Sequence, residues 1–173
     1  MDTDVELLKP LDELLKYDGF AGWETQYWFT TAMIKKKKYS PWIAKILKRY
    51  ELVNPKKPIT TDTFLKTVHS PSVYAKDIYN IELDGKTRVY GDNLFATFAP
   101  EYFSPKHYLT GEEHITENTI AFHHYASTWH KRSEKAKNDL ALAGFKTLGP
   151  RKYSKLEKGY NKSLERKIRK ELP

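Results

Sequence analysis

Apolar positions along this chain recur with two periods, and the places where one gives way to the other mark its elements. Val5 to Leu8 is a short apolar run that stops at Lys9-Pro10, after which Leu11, Leu14 and Leu15 return at helical spacing. That pattern predicts a strand, a turn and a short helix. Phe20-Ala21-Gly22-Trp23-Glu24 is a second apolar segment, closed by an acid, and Trp28 to Ile34 is a third. Both read as strands or extended loops. Ser40-Pro41 supplies an N-cap and a proline at the first helical position, and Trp42, Ile43, Ile46, Leu47 and Tyr50 follow on one helical face. Asn54-Pro55 and Pro58 break the chain before Thr61-Asp62, which can cap a second helix bearing Phe64, Leu65 and Val68 and ended by Ser70-Pro71. From Ile78 to Ala99 the composition shifts to Val, Tyr, Phe and Thr, with Asp84-Gly85 and Gly91-Asp92-Asn93 as turns between short strands. Asn118 to Ala126 reads as another β-rich segment. The alternation predicts an α/β layered protein.

Composition bounds this picture. A chain of 173 residues with 39% hydrophobic and 14% aromatic content can bury the core of one domain. It contains no Cys, so disulfides, thiolate zinc ligands and thiol nucleophiles are excluded, and any metal must take oxygen and nitrogen donors. The segment Met1-Asp2-Thr3-Asp4 has no basic leader and no apolar core follows it, which leads to the expectation of a cytoplasmic protein, at most peripheral to the inner face of a membrane.

The net charge of +8 points to nucleic acid or anionic lipid until it is mapped. Residues 1–129 hold 16 Lys/Arg against 17 Asp/Glu, whereas residues 130–173 hold 14 against 5. A balanced body argues against nucleic acid as the main partner. Lys35-Lys36-Lys37-Lys38 is the basic cluster of the body and reads as solvated loop. In the tail, Tyr153, Leu156, Tyr160, Leu164, Ile168 and Leu172 are spaced by three or four among Lys and Arg, and Ser154 with Glu157 has the form of a capping box. Such a basic amphipathic helix, over residues 150–173, can lie on an anionic membrane or pack on the body.

Candidate chemistry sits at two distant places. On an extended chain Asp2 and Asp4 direct both carboxylates to one side, giving two hard ligands suited to magnesium or manganese shared with a diphosphate. Far along the chain, Thr119-Ile120-Ala121-Phe122-His123-His124-Tyr125-Ala126-Ser127-Thr128-Trp129 concentrates two imidazoles, a hydroxyl and an indole N–H. An imidazole can complete an oxygen-rich metal shell, and the other donors can reach a phosphate. Alternation puts His123 and Tyr125 on one face and His124 on the other, so one histidine reaches the metal.

In their order these motifs resemble the DXD-containing glycosyltransferases of family 32, which include bacterial capsule and exopolysaccharide transferases and yeast mannosyltransferases. Asp2-Thr3-Asp4-Val5-Glu6 with Leu8-Lys9-Pro10-Leu11-Asp12 is similar to the DXD strand and its turn, and Phe20 to Glu24 to a Gly-aromatic-Glu segment. Tyr102-Phe103-Ser104-Pro105 with Tyr108-Leu109-Thr110-Gly111 resembles an aromatic-Pro loop, and His123-His124-Tyr125 with Ser127 and Trp129 the closing motif. The resemblance spans residues 1 to about 145, with residues 146–173 as a separate basic tail. It implies a partial GT-A type fold of mixed sheet and flanking helices, a nucleotide-sugar donor, a saccharide or lipid-linked acceptor, a divalent manganese or magnesium ion, and transfer with retention of configuration. Asp4, His123 and Asp2 would hold the metal. Asp2, Ser127, Trp129 and His124 would contact the donor, and Glu24 would be an acceptor-side or catalytic carboxylate. The family's nucleotide-recognising half precedes the DXD strand, so the resemblance leads to the expectation of a separate N-terminal half. The competing expectation is a non-catalytic binding module whose basic tail contacts nucleic acid or membrane.

Overall fold

Two strands rich in small and aromatic side chains form the middle of the molecule, with a strand on either side of them and further layers on their two faces. The structure is a computed structural model and describes residues 3–53, 56, 60–92, 94–125 and 132–171. The central strands are β2 (Gly19–Trp23) and β5 (Phe95–Phe98), which run parallel with Phe20 opposite Ala96 and Gly22 opposite Phe98. β3 (Phe29–Lys36) and β4 (Arg88–Tyr90) add antiparallel on the outer sides, giving the order β3-β2-β5-β4. A second sheet has two strands, β1 (Val5–Leu7) and β6 (Ala121–His123), paired antiparallel with Val5 opposite His123. The expected mixed sheet with flanking helices is therefore present.

Alternation along β2 and β5 divides the core. Ala21, Trp23 and Phe95 face α1 (Pro41–Glu51) and α2 (Thr61–Tyr79), where Trp42 and Tyr74 complete a buried aromatic cluster. Phe20, Ala96 and Phe98 face the other way, onto Leu14, Phe103 of the short helix α3 (Pro100–Phe103) and Ala121 of β6. The result is three layers: helices, the four-stranded sheet, and the β1–β6 ribbon with α3. Gly22 allows the third layer to come close, because a Cβ there would stand 2.4 Å from the Phe103 ring.

Two helix boundaries differ from the sequence expectation. The second helix does not stop at Ser70-Pro71 but runs on to Tyr79, so Ile78 is helical rather than the start of β structure. Pro71 lacks the N–H that would bond the Thr67 carbonyl one turn back, and the Ser70 hydroxyl donates to that carbonyl instead, at 2.8 Å. The Trp42 indole then donates to the Pro71 carbonyl at 2.8 Å, tying α1 to α2. The cap is Thr60, whose hydroxyl accepts from the Thr63 N–H at 3.1 Å, and not Thr61-Asp62.

The tail is the far end of a long helix, α4 (Arg132–Lys170), which bends at Gly149 where φ is 74° and ψ is 160°. Ser154 and Glu157 lie inside its second limb and do not start it, since the glycine bend followed by Pro150 does that. Residue 146, the expected edge of the tail, falls within this helix. Its last turns are docked: Leu164 and Ile168 pack on Trp28 and Val73, and the Trp28 indole donates to Asn161 Oδ1 at 2.8 Å. Charge follows the same surface, with Lys76 on Glu165, Arg169 on Asp77, and both Arg49 and Lys66 on Glu171. Part of the apolar face that a lipid surface would need is thus spent on the body, while Leu156 and Tyr160 remain exposed. Among the described residues no helix is long and apolar enough to cross a membrane.

Candidate functional site

The parallel pair β2 and β5 ends on one side of the sheet, and a cleft opens where it ends. Ligand sites in open α/β sheets form outside the carboxyl ends of parallel strands, because the loops leaving them diverge. Here Glu24, Thr25 and Gln26 follow β2 and Ala99, Pro100 and Glu101 follow β5, and both groups line a cleft of about 560 Å³. The loop after β2 is held by Thr25, whose hydroxyl accepts from the Tyr27 and Trp28 N–H groups at 3.1 Å. Glu24 is pinned above it by its own N–H, which donates to the Trp28 carbonyl at 2.9 Å.

Beside this cleft the ribbon brings the two ends of the chain's chemistry together. Thr3 and Asp4 form a turn ahead of β1, and pairing of Val5 with His123 places Asp4 Oδ1 3.5 Å from His123 Nε2. Asp4 and His123, the two residues expected to share a metal, thus lie side by side. Alternation also holds: His124 turns to the other side, where its Nε2 lies 3.0 Å from Glu6 Oε2, an exposed pair. His124 is therefore set against Glu6 rather than with Asp4 and His123. Asp2, Ser127 and Trp129 lie outside the described residues, and with them any part they take in metal or donor binding.

Tyr125 joins the pair to the cleft. Its φ of 53° is left-handed, a costly conformation for a bulky side chain, of order 1–3 kcal/mol. This turn stacks its ring on His123, with centroids 4.0 Å apart, and carries its hydroxyl to Glu24 and the buried Ser104. Burial is the first cause that pushes the Glu24 carboxyl up to about 7, against the opposing contact with Tyr125. The Tyr125 phenol is raised far above its ordinary value, first by burial and then by the Glu24 charge. A continuous line of groups runs from Asp4 through His123 and Tyr125 to Glu24.

No protein-family model, curated protein or solved structure matches the chain. The geometry has to speak for itself. Asp4 and His123 offer one oxygen and one nitrogen donor; the carboxylate suits a hard ion such as manganese or magnesium, while the imidazole suits zinc, iron or nickel as well. Among the described residues no group of three or more His, Cys, Asp or Glu is gathered for a metal, so the pair is a partial set. What sequence reasoning missed is the far wall of the cleft. Phe145, Tyr153 and Glu157 come from α4, in a segment whose Lys/Arg content and spacing signalled only amphipathic surface.

Proposed function

We propose that the chain supplies the metal-holding and acceptor-facing parts of a retaining nucleotide-sugar glycosyltransferase, in a partial GT-A type arrangement. The observation that carries this reading is the Asp4 carboxylate 3.5 Å from the His123 imidazole, joined through the Tyr125 ring to Glu24, which lines the cleft. Asp4 and His123 would hold a divalent ion, and that ion supplies neutralisation of charge on the departing nucleoside diphosphate. The remaining work belongs to the protein. Tyr125, locked between His123 and Glu24, fixes the spacing of the donor side and the acceptor side. Glu24, with its carboxyl raised to about 7, is suited to hold and orient an acceptor hydroxyl by a hydrogen bond.

Titration of the protein with manganese in the presence of a nucleoside diphosphate tests the reading, followed by electron paramagnetic resonance of the bound ion. The wild type should bind both together, and Asp4→Ala or His123→Ala should weaken binding at least about tenfold, the scale of one lost ligand interaction of ~1.4 kcal/mol. If the nucleotide binds equally well with and without manganese, or does not bind at all, the assignment fails.

A further inference from the structure

The wall of the cleft opposite Glu24 is unused by the Asp4–His123 pair, and its make-up differs from theirs. It is built by the bend in α4. Phe145 lies before Gly149 and Tyr153 after it, and the bend sets their rings edge to face with centroids 5.3 Å apart. Across from them, the loop after α3 presents His107 stacked on Tyr108 at 5.3 Å, and His107 reaches Phe145 at 6.4 Å. Ring surface therefore lines the cleft from the loop to the helix. Carboxylates of Glu24, Glu112 and Glu157 stand among these rings. The one Lys or Arg among the described lining residues is Lys106, which is already paired with Glu113 at 3.5 Å.

This combination selects among ligand classes. A nucleoside diphosphate finds no Lys or Arg among the described lining residues other than Lys106, which is paired with Glu113, so the cleft is poorly suited to the donor phosphates. Aromatic faces take the C–H side of a sugar ring, and carboxyl groups take its hydroxyls, while a volume of about 560 Å³ is within the usual range of small-molecule sites. Burial raises the Glu157 carboxyl, as it does that of Glu24, which suits a neutral partner better than a cationic one.

We propose that the cleft between the loop after α3 and the bent helix α4 binds a neutral saccharide, with Tyr108, Phe145 and Tyr153 against the sugar ring and Glu112 and Glu157 on its hydroxyls. It rests on the transferase reading only in calling that saccharide the acceptor. The binding itself needs neither metal nor nucleotide.

Saturation-transfer NMR of the full chain, with a panel of neutral glucose-, galactose- and mannose-based oligosaccharides in the presence of EDTA, tests this. At least one oligosaccharide should bind. Tyr153→Ala and Glu157→Gln should each weaken it about tenfold, equal to ~1.4 kcal/mol, whereas Tyr153→Phe should retain it. Gly149→Ala should also weaken it, because the residue needs a φ of 74° and the ring pair depends on that bend. Circular dichroism confirms that each variant is folded, and Tyr153→Phe and Glu157→Gln keep size and shape where Tyr153→Ala does not. The proposal is overturned if no oligosaccharide binds, if spermidine binds the cleft in preference, or if binding survives both Tyr153→Ala and Glu157→Gln. Oligosaccharide binding without any manganese-dependent nucleotide binding would remove the transferase reading and leave the subsite standing.

Discussion

The two faces of the four-stranded sheet have been put to different uses. On the helix face, Trp23, Phe29, Trp42, Tyr74 and Phe95 are essentially without solvent exposure, and the Trp42 indole has a hydrogen-bond acceptor. Aromatic packing dominates there. On the ribbon side lie a carboxyl held near neutrality at the end of β2 and, on the ribbon itself, a tyrosine in a left-handed backbone conformation and an aspartate set against a histidine. Groups that cost stability gather on the face that holds the candidate site, and the aromatic packing of the opposite face offsets them.

That contrast can be broken in descending order of effect. Trp42→Ala should be the most damaging, since removing a fully buried indole costs about 3–5 kcal/mol; chemical denaturation should show a large drop in midpoint, and a drop under ~1 kcal/mol would mean that the helix face is not the stabilising one. The next test uses pH. Glu24 has its carboxyl raised from 4.5 to about 7, so its contribution to stability is fully present below about 4.5 and is lost as pH rises through 7. His69, stacked on Trp28, is shifted the opposite way by burial, from 6.5 to about 4, so its contribution is present above about 6.5 and is lost as pH falls toward 4. Thermal melts of Glu24→Gln should therefore match the wild type near pH 4 and exceed it at pH 8, by up to ~3 kcal/mol. Equal melts at pH 8 would show that Glu24 is no burden to the fold. The smallest effect belongs to His124→Ala, which removes an exposed pair with Glu6 worth about 0.2–1 kcal/mol. It should leave manganese binding intact, in contrast to His123→Ala.

Legibility in the sequence followed the range of the interactions. β1 and the first helix were visible because Val5 to Leu7 and Ser40-Pro41-Trp42 carry local signals. Pro71 misled because its usual effect is cancelled by one hydroxyl on the preceding residue, a detail that composition does not reveal. The meeting of Asp4 with His123 was reached through resemblance and not through periodicity. No local pattern brings residues so far apart into register. Phe145, Tyr153 and Glu157 stayed hidden for a related reason: their common wall exists only because Gly149 takes a positive φ, which sequence spacing on a straight helix does not anticipate.

The β1–β6 ribbon also sets the order of assembly. Glu6 and His124, neighbours across it, are separated by 118 positions in the chain. The four-stranded sheet with α1 and α2 can form from shorter loops, whereas the ribbon, like the docking of α4, must wait for a long closure, and closure entropy rises with loop length. Asp4 and His123 are therefore expected to come into range only after most of the surrounding body is built. A partly folded chain would carry both residues and still have no pair to offer a metal.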